Sequence, residues 1–141
     1  MMEVKFIGFM DGASDHTQNL ASAAWVIYFP TGQLFVSGGA CLGPATNNVA
    51  EYSAMIELLC DIILNGIIYL EVRLDSELVV IQLNGEYRVH DPTILHYFLR
   101  VRLLERKFVY IAYEHILRNQ NTTVDAFTNY VLDWHLYHFI T

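Results

Sequence analysis

The sequence predicts an α/β domain, a five-stranded mixed sheet of three antiparallel strands plus parallel ones, flanked by α-helices. Three observations predict it. Three runs rich in β-forming residues follow one another through short turn sequences, which makes an antiparallel meander. After them, segments with helical apolar spacing alternate with short apolar runs, and a strand–helix–strand crossover needs a parallel pair. The 141 residues are 54% hydrophobic and only 16% charged, which suffices for one core and excludes a disordered chain. With no internal repeat, low-complexity tract or linker, residues 1–141 read as a single domain.

Residues 4–11 make the first strand, and Asp11-Gly12-Ala13-Ser14 reads as the turn that ends it. The second strand is 22–29, joined by Pro30-Thr31-Gly32-Gln33 to a third at 34–41. Next, Pro44 to Tyr52 reads as turn, cap and helix start. Thr46 or Asn47 accepts a hydrogen bond from a first-turn N–H, and Glu51 stands near the positive helix end. From 48 to about 65, Tyr52, Met55, Ile56, Leu59, Ile62 and Ile63 recur at helical spacing until Asn65-Gly66 stops them. A strand at 67–74 follows, then Asp75-Ser76 as cap of a short helix from 77 to about 83, ended by Asn84-Gly85. Beyond Asp91-Pro92-Thr93 comes a helix with Ile94, Tyr97, Phe98, Val101, Leu104 and Phe108 in one stripe. Its other side carries His96, Arg100, Arg102, Arg106 and Lys107, with Leu95, Leu99 and Leu103 in a row among them. The last strand is 109–115, 119–121 is a polar loop, and a final helix runs from 122 towards Trp134. The crossover places the fourth strand beside the first.

Composition narrows the function classes. A net charge of −7 argues against a protein that binds nucleic acid by a general basic excess. A cluster of carboxylates holding divalent metal would account for part of that deficit. The cations are unevenly placed, with four of the eight on the helix of residues 94–107. Charges break every apolar run well before the roughly 18 residues a membrane helix needs, and the N-terminus lacks a signal-peptide pattern. Cys41 and Cys60 sit in apolar segments as free thiols, which suits a reducing, intracellular setting in cytoplasm or nucleus. His16, His90, His135 and His138 read as solvated, and no pair has zinc-ligand spacing with cysteines.

Four acids, Asp11, Glu51, Asp75 and Asp125, each stand at a predicted element end beside an apolar run. Singly, each has an ordinary explanation: a tight-turn acid, a helix-dipole partner, a helix cap, and the acid of a Thr122-Thr123-Val124-Asp125 capping box. Together they admit another. Asp11 and Asp75 would end adjacent parallel strands, where open α/β sheets place their sites, and two helix acids approaching them would complete a metal cage. Spacing alone leaves their convergence open.

Here the sequence resembles the ribonuclease H type 1 family. The matching pieces run in the family's order: Asp11-Gly12-Ala13-Ser14, Thr46-Asn47-Asn48-Val49-Ala50-Glu51-Tyr52, Leu74-Asp75-Ser76-Glu77-Leu78-Val79-Val80 with Asn84-Gly85, and His115 to Asn121 leading to Val124-Asp125-Ala126. The resemblance is closest to the branch without a separate basic protrusion, found in plant and archaeal-like members and in retrotransposon polyproteins. It implies the ribonuclease H-like fold and hydrolysis of the RNA strand of RNA–DNA hybrids. By the same carry-over, Asp11, Glu51, Asp75 and Asp125 hold two Mg²⁺ ions about 4 Å apart, with Mn²⁺ as substitute. His115 assists proton transfer or product departure. Gly12, Ser14, Thr46, Asn47, Asn48, Arg118 and Asn121 contact the hybrid, whose 2′-hydroxyls distinguish RNA from DNA. In place of the family's glycine- and proline-rich loop stands Asp15-His16-Thr17-Gln18-Asn19-Leu20, while Val124 and Thr128 replace small residues.

An active hydrolase is the reading that the four retained acids favour. The alternative is a catalytically silent module of the same fold that contacts protein or nucleic acid. The basic helix face reads either as a solvated surface or as a phosphate-binding one. Leu95, Leu99, Leu103 and the apolar tail 134–141 suggest a protein partner, either a homodimer mate or a polyprotein neighbour such as a reverse transcriptase.

Overall fold

A computed structural model describes residues 4–140, with side chains through Val131. The tail 134–141, with His135 and His138, lies outside the residues whose side chains are described. Strands β1 (Phe6–Asp15), β2 (Leu20–Tyr28) and β3 (Leu34–Gly43) form the antiparallel meander. Helix α1 (Asn47–Leu64) crosses to β4 (Tyr69–Leu74), which pairs parallel with β1. Helices α2 (Glu77–Leu83) and α3 (Pro92–Glu105) lead to β5 (Tyr110–His115), parallel to β4, and α4 (Thr122–Ile140) closes the chain. The order across the sheet is β3-β2-β1-β4-β5, so the expected fold class holds. Helix α3 passes to β5 through a single turn, with no element between them.

The main core lies between the sheet and α1, with α3 packed on α1. Met10, Tyr52, Met55, Leu58, Leu59, Ile62, Leu70, Val72 and Val101 are fully buried there. Helix α4 covers the other sheet face at β2, β1 and β3, burying Ala24, Val26 and Val124 against Phe9 and Phe127. Trp25 donates its indole N–H to Asp61 at 2.6 Å, tying β2 to the last turn of α1.

Three local expectations are corrected. Asp11-Gly12-Ala13-Ser14 is strand, because β2 holds those four residues in register opposite Ala24, Ala23, Ser22 and Ala21. The turn falls at 16–19 instead, where the Asp15 carboxylate accepts from the Thr17 and Gln18 N–H groups and Asn19 takes a positive φ of 53°. The 119–121 loop contains a single 3₁₀ turn, Arg118–Gln120, held as the Leu117 N–H donates to Gln120 Oε1 at 2.9 Å.

The third correction concerns the basic face of α3, of which Arg102 is no part. Its Nη1 bonds both Glu105 oxygens at 2.9 Å, its Nη2 donates to the Leu83 carbonyl at 2.8 Å, and its guanidinium lies 4.6 Å from the Phe98 ring centre. Glu105 in turn accepts the Tyr113 hydroxyl, so Arg102 locks α3 to α2 and β5. Arg100, Arg106 and Lys107 are exposed, as are Leu95, Leu99 and Leu103.

Candidate active site

The site assembles where β4 stops and β1 continues. Parallel pairing of β1 with β4 ends at Phe9 opposite Arg73, so Asp11 stands two residues beyond the last rung. Asp75 directly follows the end of β4. Asp11 is thus mid-strand rather than at a strand end, held by β2 alone on that stretch.

The start of α1 is stitched to this extension. Thr46 caps the helix by accepting from the Val49 N–H at 3.2 Å. Asn47 Oδ1 accepts from the Ser14 N–H at 3.0 Å, and the Ser14 hydroxyl donates to the Ala45 carbonyl at 2.7 Å. Gly12 lets α1 settle onto β1, since a β-carbon there would overlap the Ala50 carbonyl and the Glu51 nitrogen. Glu51, the fifth residue of α1 and 7% exposed, is therefore pressed against Asp11 instead of resting on the surface near the helix end. Helix α4 brings in Asp125 within its first turn, starting from the Asn121 carbonyl, which accepts the Asp125 N–H at 3.0 Å.

Carboxylate oxygens of Asp11, Glu51 and Asp75 lie within 4.8 Å of one another. With Asp125 they line an open cleft of about 520 Å³, bordered by Gly12, Ala13, Ser14, Asn47, Asn48, Ser76, Arg118 and Asn129. Arg118 is the one cation among these lining residues, its Nη2 being 3.9 Å from Asp125 Oδ1 with the side chain 83% exposed.

Burial pushes the Asp11 carboxyl up from 3.8 to about 7, helped by hydrogen bonding with Asp125 and by the negative charge of Asp75. Burial also raises Glu51 well above its ordinary value, with the charge of Asp11 adding to it and the Gly12 N–H opposing it. Glu51 Oε2 is buried without any hydrogen-bond partner. Oxygen-only donors, uncompensated charge and an orphaned carboxylate oxygen together fit a hard divalent cation.

The cleft gathers Asp11, Glu51, Asp75, Asp125, Gly12, Ser14, Asn47, Asn48 and Arg118 from the residues expected in the site. Thr46 is occupied as the helix cap. Asn121 is buried beneath the cleft, its amide donating to Met10 O at 3.1 Å and to Asp75 Oδ2 at 3.2 Å. His115, exposed at the end of β5 opposite Leu74, lines a neighbouring depression with Phe9, Arg73, Glu114, Ile116 and Gln120. Three cleft residues add to those expected in the site. Ala13 and Ser76 lie inside the matched motifs, Ser76 also capping α2, whereas Asn129 follows Asp125 by four residues, a spacing that places both on one helix face.

Known proteins resemble this chain in sequence and in fold. A family model described as "Reverse transcriptase-like" matches residues 9–131. The ribonuclease HI of Halobacterium salinarum is 36% identical over 125 residues, covering 89% of this chain and 63% of its own length. A Mycobacterium tuberculosis bifunctional protein is 38% identical over 92 residues, 65% of this chain and 25% of that protein. The chain therefore spans less than two thirds of these relatives. Among solved structures, the Halobacterium salinarum RNase H1 superposes with a TM-score of 0.88 at 35% identity, covering 92% of this chain and 98% of that one. The N-terminal RNase H domain of a Mycobacterium tuberculosis protein, fused to maltose-binding protein, gives 0.90 at 31% identity over 96% and 99% of the two chains. A compost-derived RNase H1 in complex with an RNA/DNA hybrid gives 0.88 at 33% identity over 94% and 99%. The sheet order, the carboxylate cleft and these matches along nearly the whole chain agree: it belongs to the ribonuclease H type 1 family.

Proposed function

We propose that this chain is a divalent-metal-dependent endoribonuclease that hydrolyses the RNA strand of RNA–DNA hybrids. The observation that carries the reading is the meeting of Asp11, Glu51 and Asp75 oxygens within 4.8 Å, from three separate elements, in a member of this family. Like charges at that separation, two of them buried, disfavour the fully ionised metal-free site. Asp11, Glu51, Asp75 and Asp125 would hold two ions, Mg²⁺ by preference with Mn²⁺ as substitute, since both take hard oxygen donors. When bound, such ions ready a water for attack and neutralise charge on the leaving oxygen.

The remaining work falls to residues of the chain. Asn47 has its Oδ1 engaged by the Ser14 N–H, which leaves its Nδ2 to donate into the cleft. With Asn48 beside it, that amide suits ribose 2′-hydroxyls and adjoining backbone. Arg118, exposed in the cleft lining, would suit a phosphate. His115, which lines the neighbouring depression, would assist proton transfer or product departure, a secondary role. The relative solved with an RNA/DNA hybrid supports the substrate class. Exposed Leu95, Leu99 and Leu103 support a protein partner, either a second copy or a polyprotein neighbour such as a reverse transcriptase, and sedimentation of the isolated chain separates the two.

Cleavage of a labelled RNA–DNA hybrid with Mg²⁺, Mn²⁺ or EDTA, beside single- and double-stranded RNA controls, tests this reading. Metal-dependent cutting of the hybrid's RNA strand is expected, with loss of turnover in Asp11→Asn and hybrid binding retained. Folded protein that cuts in neither metal would favour the catalytically silent module.

A further inference from the structure

One buried amide connects three of the four acid-bearing elements. Asn121 is 2% exposed, and its Nδ2 donates both to the carbonyl of Met10, the residue before Asp11, and to Asp75 Oδ2. Its main-chain carbonyl accepts the Asp125 N–H that opens α4. These bonds join β1, the end of β4 and the start of α4 at one point. Both Nδ2 hydrogens are used, while Oδ1 is buried without a partner. The side chain is therefore placed for its two donors rather than for its acceptor.

We infer that Asn121 is a positioning residue, which fixes Asp75 against the Met10–Asp11 backbone so that the carboxylates face a common point before any ion arrives. This role, which rests on the metal-dependent reading above, replaces the substrate contact expected for Asn121. With one Asp75 oxygen held by the amide, the rotation of that carboxylate, which lines the cleft, is restricted. Partners of this kind, which touch neither ion nor substrate, typically contribute 10–100-fold in metal affinity or activity.

The test is Mn²⁺ binding by calorimetry on Asn121→Ala, with hybrid cleavage measured alongside. Asn121→Thr serves as a second variant. Threonine is close in size and a good helix cap, so the start of α4 is kept, but its hydroxyl is too short to span both acceptors. The expected result is Mn²⁺ affinity weakened roughly tenfold or more per folded molecule. Turnover should fall, KM for the hybrid should hold, and raised Mn²⁺ should recover part of the lost rate. A purely structural role would instead lower the melting temperature and the folded fraction, leaving Mn²⁺ affinity per folded molecule unchanged. That outcome in a variant shown to be folded overturns the inference. Calorimetry needs no turnover, so wild-type protein that binds Mn²⁺ without cutting hybrid would defeat the proposed activity and still allow this comparison.

Discussion

Asp11 on β1 and Glu51 on α1 bring carboxylate oxygens within 4.8 Å of one another while both residues are buried. Neither has a cation among the groups that shift it. In the metal-free protein this arrangement opposes folding at neutral pH, because two carboxylates must share a space that favours at most one charge.

Metal-free stability should therefore fall as pH rises through this pair's titration. Asp11 is raised from 3.8 to about 7, so the folded state holds its proton more tightly than the unfolded chain. The resulting stabilisation is complete below the unfolded value near 3.8 and is lost as pH climbs through about 7. Its size is on the order of a few kcal/mol, or roughly 5–10 °C in melting temperature for a chain of this length. Melting in EDTA at acidic and at slightly alkaline pH should show the fall. Asp11→Asn should flatten it and melt higher than wild type on the alkaline side. Addition of Mg²⁺ should reverse that order, since only the wild type gains from the bound ion. Parallel pH curves for the two proteins in EDTA would show that the pair is not strained.

Gly12→Ala should be more damaging than Gly8→Ala, although both glycines lie on β1 under α1. At Gly8 the new methyl would meet Leu58 Cδ1 at 2.9 Å, the far end of a flexible side chain. At Gly12 it would meet helix backbone, which can yield only if α1 lifts. Overpacking of this kind costs about 1–3 kcal/mol, readable as a lower urea midpoint. Because Glu51 is carried on the displaced backbone, Mn²⁺ affinity should fall in Gly12→Ala and hold in Gly8→Ala. Equal effects in the two variants would remove close approach as the reason for Gly12.

What could be read from the sequence was local. Apolar spacing and capping residues located α1, α2 and α3, and the family's ordered motifs brought out all four acids. The features missed depend on partners distant in the chain. Whether Asp11-Gly12-Ala13-Ser14 turns or continues is decided by β2, which pairs with each of the four residues. Asn121 bonds a carbonyl 111 residues away, and nothing near it in sequence signals that. Arg102 looks like Arg100 until Leu83 and Tyr113 are placed beside it.

The last distinction gives opposite expectations on a single helix. Arg102 supports Glu105, whose side chain is only 16% exposed and which also accepts the Tyr113 hydroxyl. Arg102→Ala should cost about 1–3 kcal/mol, between the values for surface and buried ion pairs, and lower the urea midpoint. Arg100, Arg106 and Lys107 are exposed, and replacing all three with alanine should leave the midpoint within about 0.5 kcal/mol of wild type. The triple variant should instead weaken hybrid binding evenly across sequences, flattening the dependence of log K on log salt by up to about 0.9 for each phosphate that is no longer neutralised. Binding is best measured in an Asp11→Asn background with Mg²⁺ present, so that cleavage does not consume the probe. An unchanged salt slope would make these three cations a solubility feature of an acidic protein and return the search for the phosphate-binding group to Arg118, the one cation lining the cleft among the described residues.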